Sequence, residues 1–173
     1  MKSLLLAVAL FATTAFSNTL TLGVGGITYH GSKVDPFMAQ QMPRRITDNG
    51  KFVSNPAIGL SYSRGFWTYS GEVFKDCFDK SAFILAAGPR TKLFELLELS
   101  ALGGIYYREV QSYTDRKGNT YTVAPPRIYT DGRGWQLFPT VLARASVSLP
   151  YRMRITVAGN GYINMAQLGI DLL

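Results

Sequence analysis

Apolar residues recur at every second position through most of this chain, and helical spacing is scarce. The alternation falls into eight runs. In Leu20–Tyr29, Leu20, Leu22 and Val24 oppose Thr21, Gly23 and Gly25. In Ala57–Arg64, Ile58, Leu60 and Tyr62 oppose Gly59, Ser61 and Ser63. Trp67–Cys77 and Ala82–Lys92 follow, then Leu96–Glu109, where Leu97, Leu99, Ala101, Ile105 and Tyr107 oppose Glu98, Ser100, Gly104, Tyr106 and Arg108. Gln136–Ser148 sets Val141, Ala143, Ala145 and Val147 against Arg144, Ser146 and Ser148. The seventh run sets Met153, Ile155 and Val157 against Arg152, Arg154 and Thr156. The eighth, Tyr162–Leu172, sets Leu168, Ile170 and Leu172 against Gln167, Gly169 and Asp171.

Each run has about the length of a membrane-crossing β-strand, roughly 9–11 residues. Their connections differ in a regular way. Those after the second, fourth and sixth runs are short, with turn residues at Gly65 and Leu149-Pro150, and Gly159-Asn160-Gly161 is a good hairpin turn. Those after the first and fifth, Gly31–Asn55 and Gln111–Gly134, are long and polar. Short turns at one end and long loops at the other are the pattern of an outer-membrane barrel. The predicted fold is therefore all-β, an eight-stranded antiparallel transmembrane β-barrel. Its apolar face meets lipid, and Glu98, Arg144, Arg152, Arg154 and Asp171 point into the lumen. A soluble barrel of the lipocalin kind would reverse those faces. The rim half of the inward face reads as small or apolar: Ile27, Ile84, Ala86, Gly88, Leu102, Gly104, Ile163 and Met165. That predicts an apolar pocket above a polar plug, against the alternative of a tightly filled core.

Composition adds an address. Lys2, the apolar run Leu4–Phe11 and the small-x-small Ala15-Phe16-Ser17 form a secretory signal peptide, residues 1–17, which leaves a barrel domain over 18–173. A single cysteine excludes an intrachain disulfide. The net charge of +7 is spread along the chain. In an exported protein it suits solvated surface or the phosphates of an anionic glycolipid rather than nucleic acid.

The topology gathers the reactive side chains. Odd runs climb outward, so His30, Asp76-Cys77 and Arg108-Glu109 all reach the external rim. A histidine and an acid beside a thiol are the set that acyl transfer needs: a base for the attacking group and an acid to orient the imidazole. Strict alternation puts Asp76 on the inward face but His30 and Cys77 on the outward one.

At these residues the chain resembles the lipid A palmitoyltransferase (PagP) family of outer-membrane enzymes. Ile27-Thr28-Tyr29-His30 is similar to the strand with that family's catalytic histidine, and Phe74–Lys80 (F-K-D-C-F-D-K) resembles its F-K-D-S-W-N-K motif, with Cys77 in the place of serine. Arg108-Glu109 resembles its Arg-Asp pair, and Leu142–Val147 its L-P-L-A-S-V stretch. The resemblance implies movement of a palmitoyl-type chain from a phospholipid donor to lipid A or a related glycolipid, by a monomer in the outer membrane. It implies catalytic roles for His30, Asp76 and Cys77, substrate binding by Arg108 and Glu109, and Gly88 as the glycine that limits acyl length. Pro56 and Pro139 fall where the family interrupts strand pairing for lateral access, while Ala143 and Ala158 replace further prolines. No metal or cofactor is expected. The alternative of another class is a non-catalytic barrel whose long loops bind or mask a surface receptor.

Overall fold

The computed structural model describes residues 18–31, 36–93, 96–109, 111–114, 117–123, 129–131, 135–160 and 163–173. The expected signal peptide, residues 1–17, and part of the Gly159-Asn160-Gly161 turn lie outside them. In chain order the elements are β1 (Thr19–His30), α1 (Pro36–Gln40), β2 (Phe52–Ser54), β3 (Ala57–Arg64), β4 (Trp67–Lys75), β5 (Ser81–Leu93), β6 (Leu97–Glu109), β7 (Gln111–Thr114), β8 (Thr120–Val123), β9 (Tyr129–Asp131), β10 (Trp135–Ser148), β11 (Met153–Gly159) and β12 (Ile163–Asp171).

Eight of these strands, β1, β3, β4, β5, β6, β10, β11 and β12, pair antiparallel in that order, and β12 returns to β1. The β10–β11 ladder, Ala143↔Gly159 to Ser148↔Arg154, is part of the same circuit and completes a closed barrel. Among the described residues, closure leaves only a short upper stretch of β10 unpaired towards β11, where an open sheet would present two whole edges to lipid. Both ends of the barrel domain, Thr19 and Asp171, lie at the rim with the short turns. The long connections lie at the other. The first holds α1 and β2, and β2 adds to the upper half of β1 by Ile27↔Ser54 to Tyr29↔Phe52. The second holds the β7–β8 hairpin and β9, which pairs with the start of β10.

The wall's two faces are chemically inverted relative to a soluble domain. Ile58, Leu60, Val73, Leu85, Val141, Val157, Leu168 and Ile170 stand exposed on the outside. Arg90, Glu98, Arg108, Gln136 and Arg154 are buried inside. Aromatic residues cluster near both ends of the apolar band. Phe66 and Trp67 lie at the turn end, and Tyr107, stacked on Trp135 at 4.8 Å with Phe83 beside it, lies near the loop end. An apolar belt between aromatic girdles is what a bilayer selects, so the protein is a transmembrane barrel of the outer-membrane kind, not a lipocalin-like one.

The lower lumen is a polar plug. Arg90 donates to Glu98 at 2.8 Å and through Nε to the Gly65 carbonyl at 2.9 Å. Arg144 reaches across the lumen to Ser61 Oγ at 3.0 Å. Arg154 binds Asp171, which also accepts from Thr21.

Two inward assignments change, and a third residue sits lower than expected. Gly25 adopts a left-handed φ of 69°, and the β1–β12 register slips by one residue between Val24 and Ile27. This bulge reverses parity, so Ile27 faces out at 48% exposure while Thr28, at 2%, faces in. Arg152 belongs to the 3-10 turn Pro150–Arg152 and is exposed. Gly88 does face inward, opposite Thr68, but low on β5, where its missing side chain lets the Ala101 carbonyl approach. The side chain of Ile163 lies outside the described set.

Candidate active site at the external rim

The bulge at Gly25 decides the chemistry of the rim. Beyond it, His30 turns into the barrel, where its register partner is Ile163 and its N–H donates to the Lys51 carbonyl at 2.9 Å. Gly26 is needed beside it. A Cβ there would sit 2.8 Å from the Asn55 carbonyl oxygen, and the Gly26 carbonyl accepts from the Asn55 N–H. The outer segment is thereby pinned over the end of β1.

Cys77 reaches the same place by another route. It stands past the end of β4, in a turn, so strand parity does not govern it. The Asp79 N–H donates to the Asp76 carbonyl at 3.0 Å, and the Asp76 N–H to the Lys80 carbonyl at 2.9 Å. Asp76 Oδ1 accepts from the Phe78 and Lys80 amides at 2.8 and 2.9 Å, and Asp79 takes a left-handed φ of 64°. This is a side-chain-capped turn of the kind that aspartate favours. Asp76 thus shapes the turn that turns Cys77 inward.

The two side chains meet: His30 Nε2 lies 3.0 Å from Cys77 Sγ. Burial, together with the Asp76 carboxylate, pushes the Cys77 thiol up to about 11. At neutral pH the sulfur is therefore protonated, and with the ring in its Nδ1–H tautomer Nε2 accepts the S–H. That is the resting arrangement of a nucleophile or proton donor with its base. Asn55 completes the edge. Its side chain hydrogen-bonds to Cys77, is 3% exposed, and leaves Oδ1 without a partner among the described residues. Above the thiol, Met42, Val53 and Phe78 pack into a small apolar cover, and Arg44 bridges to Asp79 at 2.6 Å.

His30, Asn55, Asp76, Cys77 and Arg108 all line one lumen cavity of about 540 Å³. Ligand pockets commonly span roughly 300–1,000 Å³. Arg108 is buried, with its guanidinium 5.1 Å from the Phe138 ring and 5.8 Å from that of Tyr106, which stacks on Phe74. Below the mouth the walls are unequal. Ile84, Leu102, Leu142 and Met165 supply aliphatic surface. Elsewhere on the wall, the Gln167 amide donates to Glu72 at 2.7 Å. The glycines Gly23 and Gly59, register partners in β1 and β3, lie beneath that polar pair and make room for it. The Arg144–Ser61 contact lies deeper, among the plug charges.

The predicted pocket above a plug is therefore present but not purely apolar. Glu72, Gln167 and Asn55 are cavity residues that the rim reasoning missed. Glu72 and Gln167 sit at inward strand positions, so alternation locates them; their contact across two glycine-bearing strands is not visible in any local pattern. Gly88 and Glu109 are not among the described lining residues, and Glu109 pairs with Trp135 at the end of β6. The cavity also runs to the barrel wall. Among the described residues, Phe138–Leu142 pair with β6 but have no partner on the side of β11. Pro139, which has no N–H, lies in that stretch. Thr140 and Leu142 on one side and Ala158 to Asn160 on the other line the cavity.

No protein family matches the sequence, and no curated protein does. Among solved structures, the chain is similar to a de novo designed transmembrane β-barrel, at 15% identity and a TM-score of 0.51 over 88% of this chain and 92% of the other. The likeness is one of fold. Ail, the attachment invasion locus protein of Yersinia pestis, aligns at 12% identity and a TM-score of 0.43, over 91% of this chain and 97% of Ail.

Proposed function

We propose that this barrel transfers an acyl chain of palmitoyl type from a phospholipid to a hydroxyl of lipid A or a related glycolipid at its external rim. The observation that carries the reading is the 3.0 Å contact between His30 Nε2 and Cys77 Sγ at the mouth of a lumen cavity. The imidazole is the general base, already holding a proton donor where an attacking group must sit. Asp76 positions the turn that bears the thiol. Arg108 supplies a fixed cation suited to a phosphate or to a developing oxyanion. The aliphatic wall takes the chain, at about 0.8 kcal/mol per buried methylene. The unpaired stretch of β10 beside Pro139 is the lateral way in from the outer leaflet.

Mass spectrometry of lipid A from cells making the wild-type protein tests this directly. The expected result is one added acyl mass, absent when His30→Ala is produced as an equally folded barrel. A second reading is favoured by the ordered outer segment over Met42 and Val53: a barrel whose external loops bind or mask a surface receptor, without chemistry. A folded wild-type protein that leaves lipid A unmodified supports that reading.

A further inference from the structure

The rim contact leaves open which group attacks the donor ester. We propose that Cys77 does so itself and carries the acyl chain as a thioester before it passes to the acceptor. This rests on the acyl-transfer reading above and specifies its path.

The geometry has three parts. Sγ is within hydrogen-bond reach of an imidazole nitrogen, as nucleophile and base must be. Cys77 lines the cavity that takes the chain, so an acyl group on sulfur extends into the lumen without passing through the outer segment. Asn55, 3% exposed, lines the same cavity, and its Oδ1 is an acceptor with no donor among the described residues. A buried amide oxygen in that state suits an incoming O–H, and the acceptor alcohol brings one.

The steps balance. His30 Nε2 takes the proton from Cys77 as Sγ bonds to the ester carbonyl carbon. The tetrahedral adduct collapses, the ester C–O bond breaks, and the lysophospholipid leaves as an alcohol with the proton from His30. The acceptor hydroxyl, hydrogen-bonded to Asn55 Oδ1, then gives its proton to His30 and attacks the thioester. The new C–O bond forms, the C–S bond breaks, and the thiolate takes the proton back. No oxidant, reductant or further reactant enters.

The test is intact-protein mass spectrometry of the full barrel in detergent with a dipalmitoyl phospholipid and no acceptor. The expected result is a gain of one palmitoyl group less one hydrogen, removed by neutral hydroxylamine and absent in Cys77→Ala. In Cys77→Ser, an adduct that forms is an oxygen ester and survives the same treatment. Lipid A is scored in parallel, with heat-modifiable gel migration as the check of folding. If the wild type acylates lipid A, and folded Cys77→Ala does so at an undiminished rate, the thioester is excluded while acyl transfer stands. If the wild type acylates neither itself nor lipid A, the functional reading falls and takes the thioester with it.

Discussion

Cys77 is held as a thiol, and that sets its reactivity. A cysteine reacts through its thiolate, and burial beside Asp76 moves its ionisation from 9.0 up to about 11. At pH 8 the thiolate fraction is then lower by roughly a hundredfold than for an unshifted thiol. Alkylation of the folded barrel by iodoacetamide is expected to be slower by about that factor than in the same protein unfolded. It should rise about tenfold per pH unit towards pH 11. Reaction at the unfolded rate at pH 8 would show that the cover of Met42, Val53 and Phe78 does not seal the sulfur. The same shift has a stability consequence of fixed sign. Because the folded pKa is raised, the contribution from the neutral thiol is complete below pH 9 and is lost as pH climbs through 11. His30 works on this thiol only as a base close at hand, which is why a 3.0 Å contact matters more than the cysteine alone.

At the scale of the element, β1 matters because it changes face. Deleting Gly25 removes the extra residue of the bulge, so Gly26 takes the inward place opposite Gln167, and Ile27, Thr28 and His30 keep their β12 partners and their faces. Acyl transfer is therefore expected to persist in a barrel that still migrates as a heat-modifiable species. Transfer as low as in His30→Ala would mean that the local shape of the bulge, and not the register it sets, holds His30 at Cys77. Gly25→Ala tests the bulge itself. It keeps the extra residue and costs about 1–2 kcal/mol for an L-residue held at positive φ, measured as a shift in the denaturant midpoint. The strands themselves were legible because outward positions meet lipid and inward positions meet charge, a contrast that survives in single residues such as Leu85 against Arg90. The bulge was not. Gly25-Gly26 can continue a strand or break it, and only the approach of Asn55 to Gly26 selects the break. So the shared rim of His30 and Cys77 was readable from topology, while their contact depended on a parity change and a turn that alternation cannot express. Glu72 and Gln167 were hidden for a related reason: their meeting depends on side chains absent from Gly23 and Gly59, on the strands between them.

The whole molecule divides into a lower part that holds the barrel and an upper part that holds the chemistry, and the two should fail separately. Glu98 is the hinge of the lower part. It is 2% exposed and faces three guanidinium groups, Arg90 at 2.8 Å, Arg144 at 3.4 Å and Arg154 at 3.5 Å. Arg154 has a second carboxylate in Asp171, at 3.0 Å. Removing Glu98 leaves buried cations facing one another across a narrow lumen, where water cannot fully screen them. Breaking a buried ion pair from one side costs about 3–5 kcal/mol. Glu98→Ala is therefore expected to lose stability on that scale in guanidinium unfolding from lipid vesicles, and to keep His30-dependent transfer under conditions where it remains folded. Cys77→Ala is expected to do the reverse, with a midpoint near the wild type and no transfer. The division has a physical basis. The rim takes its shape from turns, a bulge and the cover around Met42, none of which bears on the plug ladder. Should Glu98→Ala unfold at the wild-type midpoint, the plug is not what holds the wall closed, and the stability resides in the lipid-facing band and the strand pairing instead.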